Sequence, residues 1–154
     1  MAREDNIRVF EDTEAWCRTN RKIAESLKAS QAAQELILET DALPDLDKNR
    51  YEKPAKVVVS KKRTLEAARG YAGQKVAVHN FASATNPGGG VTTGAGAQEE
   101  CICRCSTLYF CLKTQEMQNR FYTPHRQSAA GPVSEIRAAG GGLFPHLHAG
   151  GAGV

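Results

Sequence analysis

The chain has 154 residues, 41% apolar and 24% charged, which suits one domain with a core or a piece of one. Its formal net charge of +3 is too small to argue for direct nucleic-acid binding. No run of about 18 apolar residues is present, so no membrane-crossing helix is expected, and the charged start Met1-Ala2-Arg3-Glu4-Asp5-Asn6 gives no secretory signal.

Residues 4 to 38 are rich in helix formers and free of Gly and Pro, which predicts helix. Ile23 and Leu27 lie one turn apart and Trp16 two turns earlier, a partial apolar stripe that assigns Trp16 to helix packing. Thr19-Asn20 can divide the stretch, with Asn20 capping the second helix. Residues 42 to 54 are polar and bounded by Pro, hence a loop. Lys56-Val-Val-Val-Ser60 reads as a buried strand, 62 to 72 as a helix behind a solvated Lys61-Lys62-Arg63, and Lys75-Val-Ala-Val-His-Asn80 as a second strand. Strand, helix and strand at this spacing make a βαβ unit with parallel pairing, and ligands bind such sheets beyond the carboxyl ends of the strands.

The loop beyond the second strand is Asn86-Pro-Gly-Gly-Gly-Val-Thr-Thr-Gly-Ala-Gly-Ala97, and it leads into one helix from Gln98 to Leu112. Residues 115 to 121 add a short helical turn. Gly88, Gly89 and Gly90 have no Cβ, so the backbone can turn with positive φ and approach a ligand closely. Their N–H groups and the positive end of the following helix suit a diphosphate, although three glycines alone also describe a plain flexible loop. Gly96 is followed by Ala97-Gln98, not by the Lys-Ser/Thr of a P-loop, and the G-x-G-x-x-G spacing is missing. Glu99 and Glu100 stand about 100° apart on the helix, so the two carboxylates cannot duplicate each other's role. Glu in a first helical turn is also ordinary capping chemistry.

Asn86-Pro-Gly-Gly-Gly, seven residues, then Gln98-Glu99-Glu100 resembles the signature of poly(ADP-ribose) glycohydrolases. His79-Asn-Phe-Ala-Ser-Ala-Thr85 before the loop and Arg104-Cys-Ser-Thr-Leu-Tyr109 after the acidic pair are similar to the microbial-type family, over roughly residues 4 to 126. The resemblance implies an α/β, macrodomain-like fold, a mixed sheet flanked by helices. Residues 1–55 would be an N-terminal helical extension and 56–126 a partial catalytic region, with the C-terminal half of the fold missing. It implies hydrolysis of ribose–ribose O-glycosidic bonds, with Glu100 as general acid and base and Glu99 positioning the terminal ribose. Asn86 would bind that ribose and Gln98 would orient the nucleotide. Gly88, Gly89 and Gly90 would face the diphosphate, with Val91 beside them in the binding loop. It implies ADP-ribose or poly(ADP-ribose) on modified proteins as the partner, with no cofactor and no metal required. A non-catalytic ADP-ribose-binding module and an inactive fragment stay open as alternatives.

From Gln127 onward, 28 residues hold 7 of the 14 glycines and 6 alanines, and read as a disordered tail or one foreign to the domain, as a frameshift leaves. Five cysteines without an export signal point to reduced thiols in a cytoplasmic (in a eukaryote, also nuclear) protein. Cys101, Cys103, Cys105 and Cys111 lack a C-x₂-C knuckle and read as small apolar residues rather than zinc ligands. His79 reads as structural, at a strand end.

Overall fold

The computed structural model describes residues 2–38, 40–42, 45, 47 and 49–129. Helix α1 spans Arg3–Thr19 and α2 spans Arg21–Ala32. Between them Asn20 leaves helical geometry (φ −88°, ψ 114°), and its side-chain oxygen accepts from the Ile23 N–H at 3.2 Å. This is the N-cap that the sequence placed there. The buried face of α1 carries Asn6, Phe10 and Cys17. Trp16 is 57% exposed, so it is not part of that packing face.

Helix α3 covers Thr64–Arg69, and Lys61, Lys62 and Arg63 before it are exposed. The helix predicted from Gln98 to Leu112 is two: α4, Gln98–Arg104, and α5, Leu108–Leu112. The break falls at Ser106. Its hydroxyl donates to the Ile102 carbonyl at 2.8 Å and accepts from the Leu108 N–H at 3.3 Å. The Ile102 carbonyl also accepts from the Cys105 N–H at 3.0 Å, a bond one residue tighter than the α-helical one, so the hydroxyl and this turn together occupy groups that a continuous helix would use. The chain then runs through α6, Gln115–Met117, a π turn, Gln118–Tyr122, and α7, Thr123–Ala129. Pro124, in the first turn of α7, has no N–H to give the preceding turn, and the wider π turn falls where that bond would be lost.

Two apolar clusters hold these pieces. Phe10 of α1 packs with Val91, Cys103 and Tyr109, the Phe10 and Tyr109 rings meeting edge-on at 4.9 Å. Leu112, Met117, Phe121 and Tyr122 form the second cluster, with Leu36 and Leu108 against it. Gln31 of α2 ties to α5 through the Phe110 carbonyl at 3.0 Å.

The expected α/β fold is not what forms: among the described residues there is no strand and no sheet. The β-branched run 56–60 and the run 75–80 form neither helix nor strand, and neither makes a backbone ladder with the other or with any described segment. Val57 and Val59 are 85% and 92% exposed, not buried. Strand propensity measures how well a side chain fits a paired, half-covered surface, and these segments have no such surface to fit. The parallel βαβ unit and the macrodomain-like mixed sheet are therefore overturned. Of the Gly/Ala-rich tail, residues 127–129 close α7 as helix, and 130–154 lie outside the described residues.

This packing sets an expected contrast in stability. Leu112→Ala, in the second cluster, should cost about 2–5 kcal/mol, whereas Val59→Thr should stay within about 0.5 kcal/mol; urea denaturation of the two variants checks both.

Candidate active site

The segment from Asn80 to Ala97 folds back over the first turn of α4. Its tightest part is a turn in which the Gly89 N–H donates to the Asn86 carbonyl at 2.9 Å and the Val91 N–H to the Gly88 carbonyl at 3.1 Å. Gly88 and Gly89 have φ of 72° and 57°, the left-handed region that residues with a Cβ rarely adopt. A Cβ at Gly89 would land on Glu100 Oε1, and one at Gly88 would come within 2.7 Å of the Tyr109 ring. A 3₁₀ turn, Val91–Thr93, follows. Val91 is fully buried in the Phe10 cluster, so it anchors the loop to the core and does not line its surface.

Glu99 and Glu100 both face this loop and are 3% and 7% exposed. Glu99 Oε1 accepts from the Gly88 N–H at 3.2 Å and from Asn80 Nδ2 at 3.4 Å, and its Oε2 accepts from the Ser83 N–H at 2.8 Å. Glu100 Oε1 accepts from the Gly90 N–H at 2.9 Å, while its Oε2 is buried with no partner. Hydrogen bonds to a charged group contribute about 1.5–3 kcal/mol each, so the loop and the acidic pair hold one another. Burial raises the Glu99 carboxyl above the ordinary glutamate range; the Ser83, Asn80 and Gly88 donors pull it down, and the neighbouring Glu100 charge adds to the rise. Burial also pushes the Cys103 thiol up to about 12, with Glu99 and Glu100 adding to it. The Tyr122 phenol is raised by burial first and by Glu99 next, and its oxygen has no partner.

The N–H groups of Gly88, Gly89 and Gly90 are thus all engaged within the chain, by Glu99, the Asn86 carbonyl and Glu100. Gln98 is engaged too. Its Oε1 accepts from the Phe81 N–H at 2.9 Å, and its Nε2 donates to the His79 carbonyl at 2.8 Å and to Thr64 Oγ1 at 3.3 Å. Gln98 therefore fastens α4 to segment 79–81 and to α3. Asn86 is exposed and donates its N–H to Ser83 Oγ at 3.0 Å. Asn80 and Ser83 hold Glu99, which the sequence reading missed. The signal available was their place in the polar run before the glycines, which carries no pairing information without the fold. Of the four clustered cysteines, Cys103 and Cys111 are buried, Cys101 is half-buried and Cys105 is exposed. Among the described residues, no group of three or more His, Cys, Asp or Glu is gathered as a metal would need.

The protein family described as "Microbial-type PARG, catalytic domain" matches residues 4–136, reaching past Gln127 into the tail. No curated protein and no solved structure matches the chain.

Two outcomes are expected from this geometry. Gly89→Ala should destabilise by about 1–3 kcal/mol in urea denaturation, through positive φ and the overlap with Glu100. The folded state holds the Glu99 proton more tightly than the unfolded chain, whose glutamates titrate near about 4.3. Its stabilising share is therefore present below that pH and is lost as pH rises through the higher folded value. The melting temperature should fall across that window, and less steeply in Glu99→Gln, which cannot ionise.

Proposed function

This chain belongs to the microbial-type PARG catalytic-domain family, and we propose that it hydrolyses the ribose–ribose O-glycosidic bond of poly(ADP-ribose), releasing ADP-ribose, with Glu100 as general acid and base. The family supports glycoside hydrolysis of poly(ADP-ribose) as the reaction type; the residue roles are our reading. The observation that carries it is the unequal binding of the two oxygens of Glu100. Oε1 is fixed by the Gly90 N–H, while Oε2 is buried and has no partner. A carboxyl group held this way can carry its proton on Oε2 without giving up the bond that orients it. That proton passes to the leaving ribose oxygen as the glycosidic bond breaks. The same oxygen then takes a proton from the water that attacks the anomeric carbon.

Glu99 takes the positioning role. A carboxylate has about four lone-pair sites, and Ser83, Gly88 and Asn80 fill three of them. The remaining site is the one we assign to a hydroxyl of the terminal ribose. Asn86, exposed at the turn, offers a second ribose contact. The glycines serve by closeness: with their N–H groups already engaged, Gly88–Gly90 let the sugar and its diphosphate approach across backbone that carries no side chain. Gln98 acts on the nucleotide through the segment 79–81 that it holds in place.

In the full chain, Glu100→Gln should lower kcat for poly(ADP-ribose) hydrolysis by about 10²–10⁴-fold, with ADP-ribose binding retained by isothermal titration. Turnover that survives the substitution overturns the assignment of Glu100. ADP-ribose binding by the wild-type chain without turnover replaces the enzyme with a binding module.

A further inference from the structure

The proton-carrying oxygen of Glu100 is oriented through the bond from the Gly90 N–H to Oε1, and Gly90 begins a short loop held from three sides. On the loop itself, the Thr93 and Ala95 N–H groups both donate to the Gly90 carbonyl at 3.1 Å, and the Gly94 N–H donates to the Val91 carbonyl at 3.2 Å. From α1, Asn6 Nδ2 donates to the Gly94 carbonyl at 3.0 Å, a buried bond across 88 residues of sequence, and Arg3 Nε donates to the Thr93 carbonyl at 2.8 Å. From α4, one turn past Glu100, Arg104 Nη1 donates to the Ala95 carbonyl at 2.6 Å.

Asn6 and Arg104 are unusual on their helices. Asn6 is a buried polar side chain on the packing face of α1. Arg104 is a buried cation whose two hydrogen-bond partners are the Ala95 carbonyl and Cys101 Sγ, the latter at 3.2 Å; neither is a carboxylate. Taking a guanidinium out of water costs several kcal/mol, and an apolar residue at either place would pack without that cost. Gly94 closes the arrangement. Its φ is 77°, and a Cβ there would overlap the Arg3 carbonyl, so α1 and the loop touch backbone to backbone.

We propose that Asn6 and Arg104 are positioning residues for Glu100: by gripping the Gly94 and Ala95 carbonyls from α1 and α4, they hold the loop so that the Gly90 N–H stays on Glu100 Oε1. The N-terminal helix is then a working part of the site. The proposal rests on the role given to Glu100, but its structural half does not need turnover.

The test uses the full chain with Asn6→Asp, which keeps the shape and replaces a donor by an acceptor facing the Gly94 carbonyl, and with Arg104→Met against Arg104→Lys, which keeps a donor. Amide-resolved hydrogen exchange by NMR reads Gly90, with Leu112 in the second core cluster as reference. Asn6→Asp and Arg104→Met should speed Gly90 exchange about tenfold, as loss of one buried hydrogen bond would, and leave Leu112 unchanged; Arg104→Lys should restore most of the protection. In the hydrolysis assay the same two variants should lower kcat about tenfold with KM held within about twofold, since what they disturb is the proton-transfer geometry. Unchanged Gly90 exchange in both variants, or equal acceleration at Leu112, overturns the proposal. A wild-type chain without turnover overturns the functional reading instead, and the exchange measurement still decides this one.

Discussion

Two adjacent carboxylates, both almost out of water, need donors, and the main chain between Ser83 and Gly90 supplies most of them. Ser83 and Gly88 reach Glu99, and Gly90 reaches Glu100. A buried carboxylate without such donors is costly, and a glycine-rich segment without such acceptors would lose its shape to entropy. Each therefore accounts for the other. The remaining structure follows from this exchange: α4 must present its first turn to the loop, Val91 must plug the loop into the core, and α1 must lie where Asn6 and Arg3 can hold its far end.

The helices were legible because their signals are local. Asn20 caps α2 as its side-chain chemistry dictates, whereas the single helix read from Gln98 to Leu112 is two, divided at Ser106, whose hydroxyl bonds to the backbone carried no such signal in a run of helix formers. The strands were misread because a strand is a relation between segments. Val57-Val58-Val59 has the side chains of a sheet, and nothing within five residues can say whether a neighbour will pair with it. The buried stripe of α1 was misplaced for a similar reason. Trp16 is the largest apolar side chain of α1, yet the face that packs is set by Phe10, where Val91, Cys103 and Tyr109 converge from more than 80 residues away.

The candidate site was legible at the level of which residues gather and not at the level of what each atom does. Gln98, Glu99 and Glu100 do meet the segment that carries Asn86 to Gly90. The sequence, however, assigned the glycine N–H groups to a diphosphate, because exposed donors and phosphate oxygens suit each other in general. In the folded chain the nearest anions are its own side chains. Intramolecular acceptors at high effective concentration take the donors first, and only coordinates show which acceptors are in reach. Asn80 and Ser83 escaped notice for the same reason.

The break at Ser106 has a chemical consequence. It leaves Cys105 as the one exposed cysteine of five, at the joint between α4 and α5, while Cys103 two residues earlier is fully enclosed and its thiol is held near 12. Thiolates, not thiols, react with electrophiles. Alkylating dyes and mild oxidants will therefore select the joint over the core, which gives a natural handle for a fluorophore beside the Arg104 carbonyl where Thr13 of α1 makes its contact.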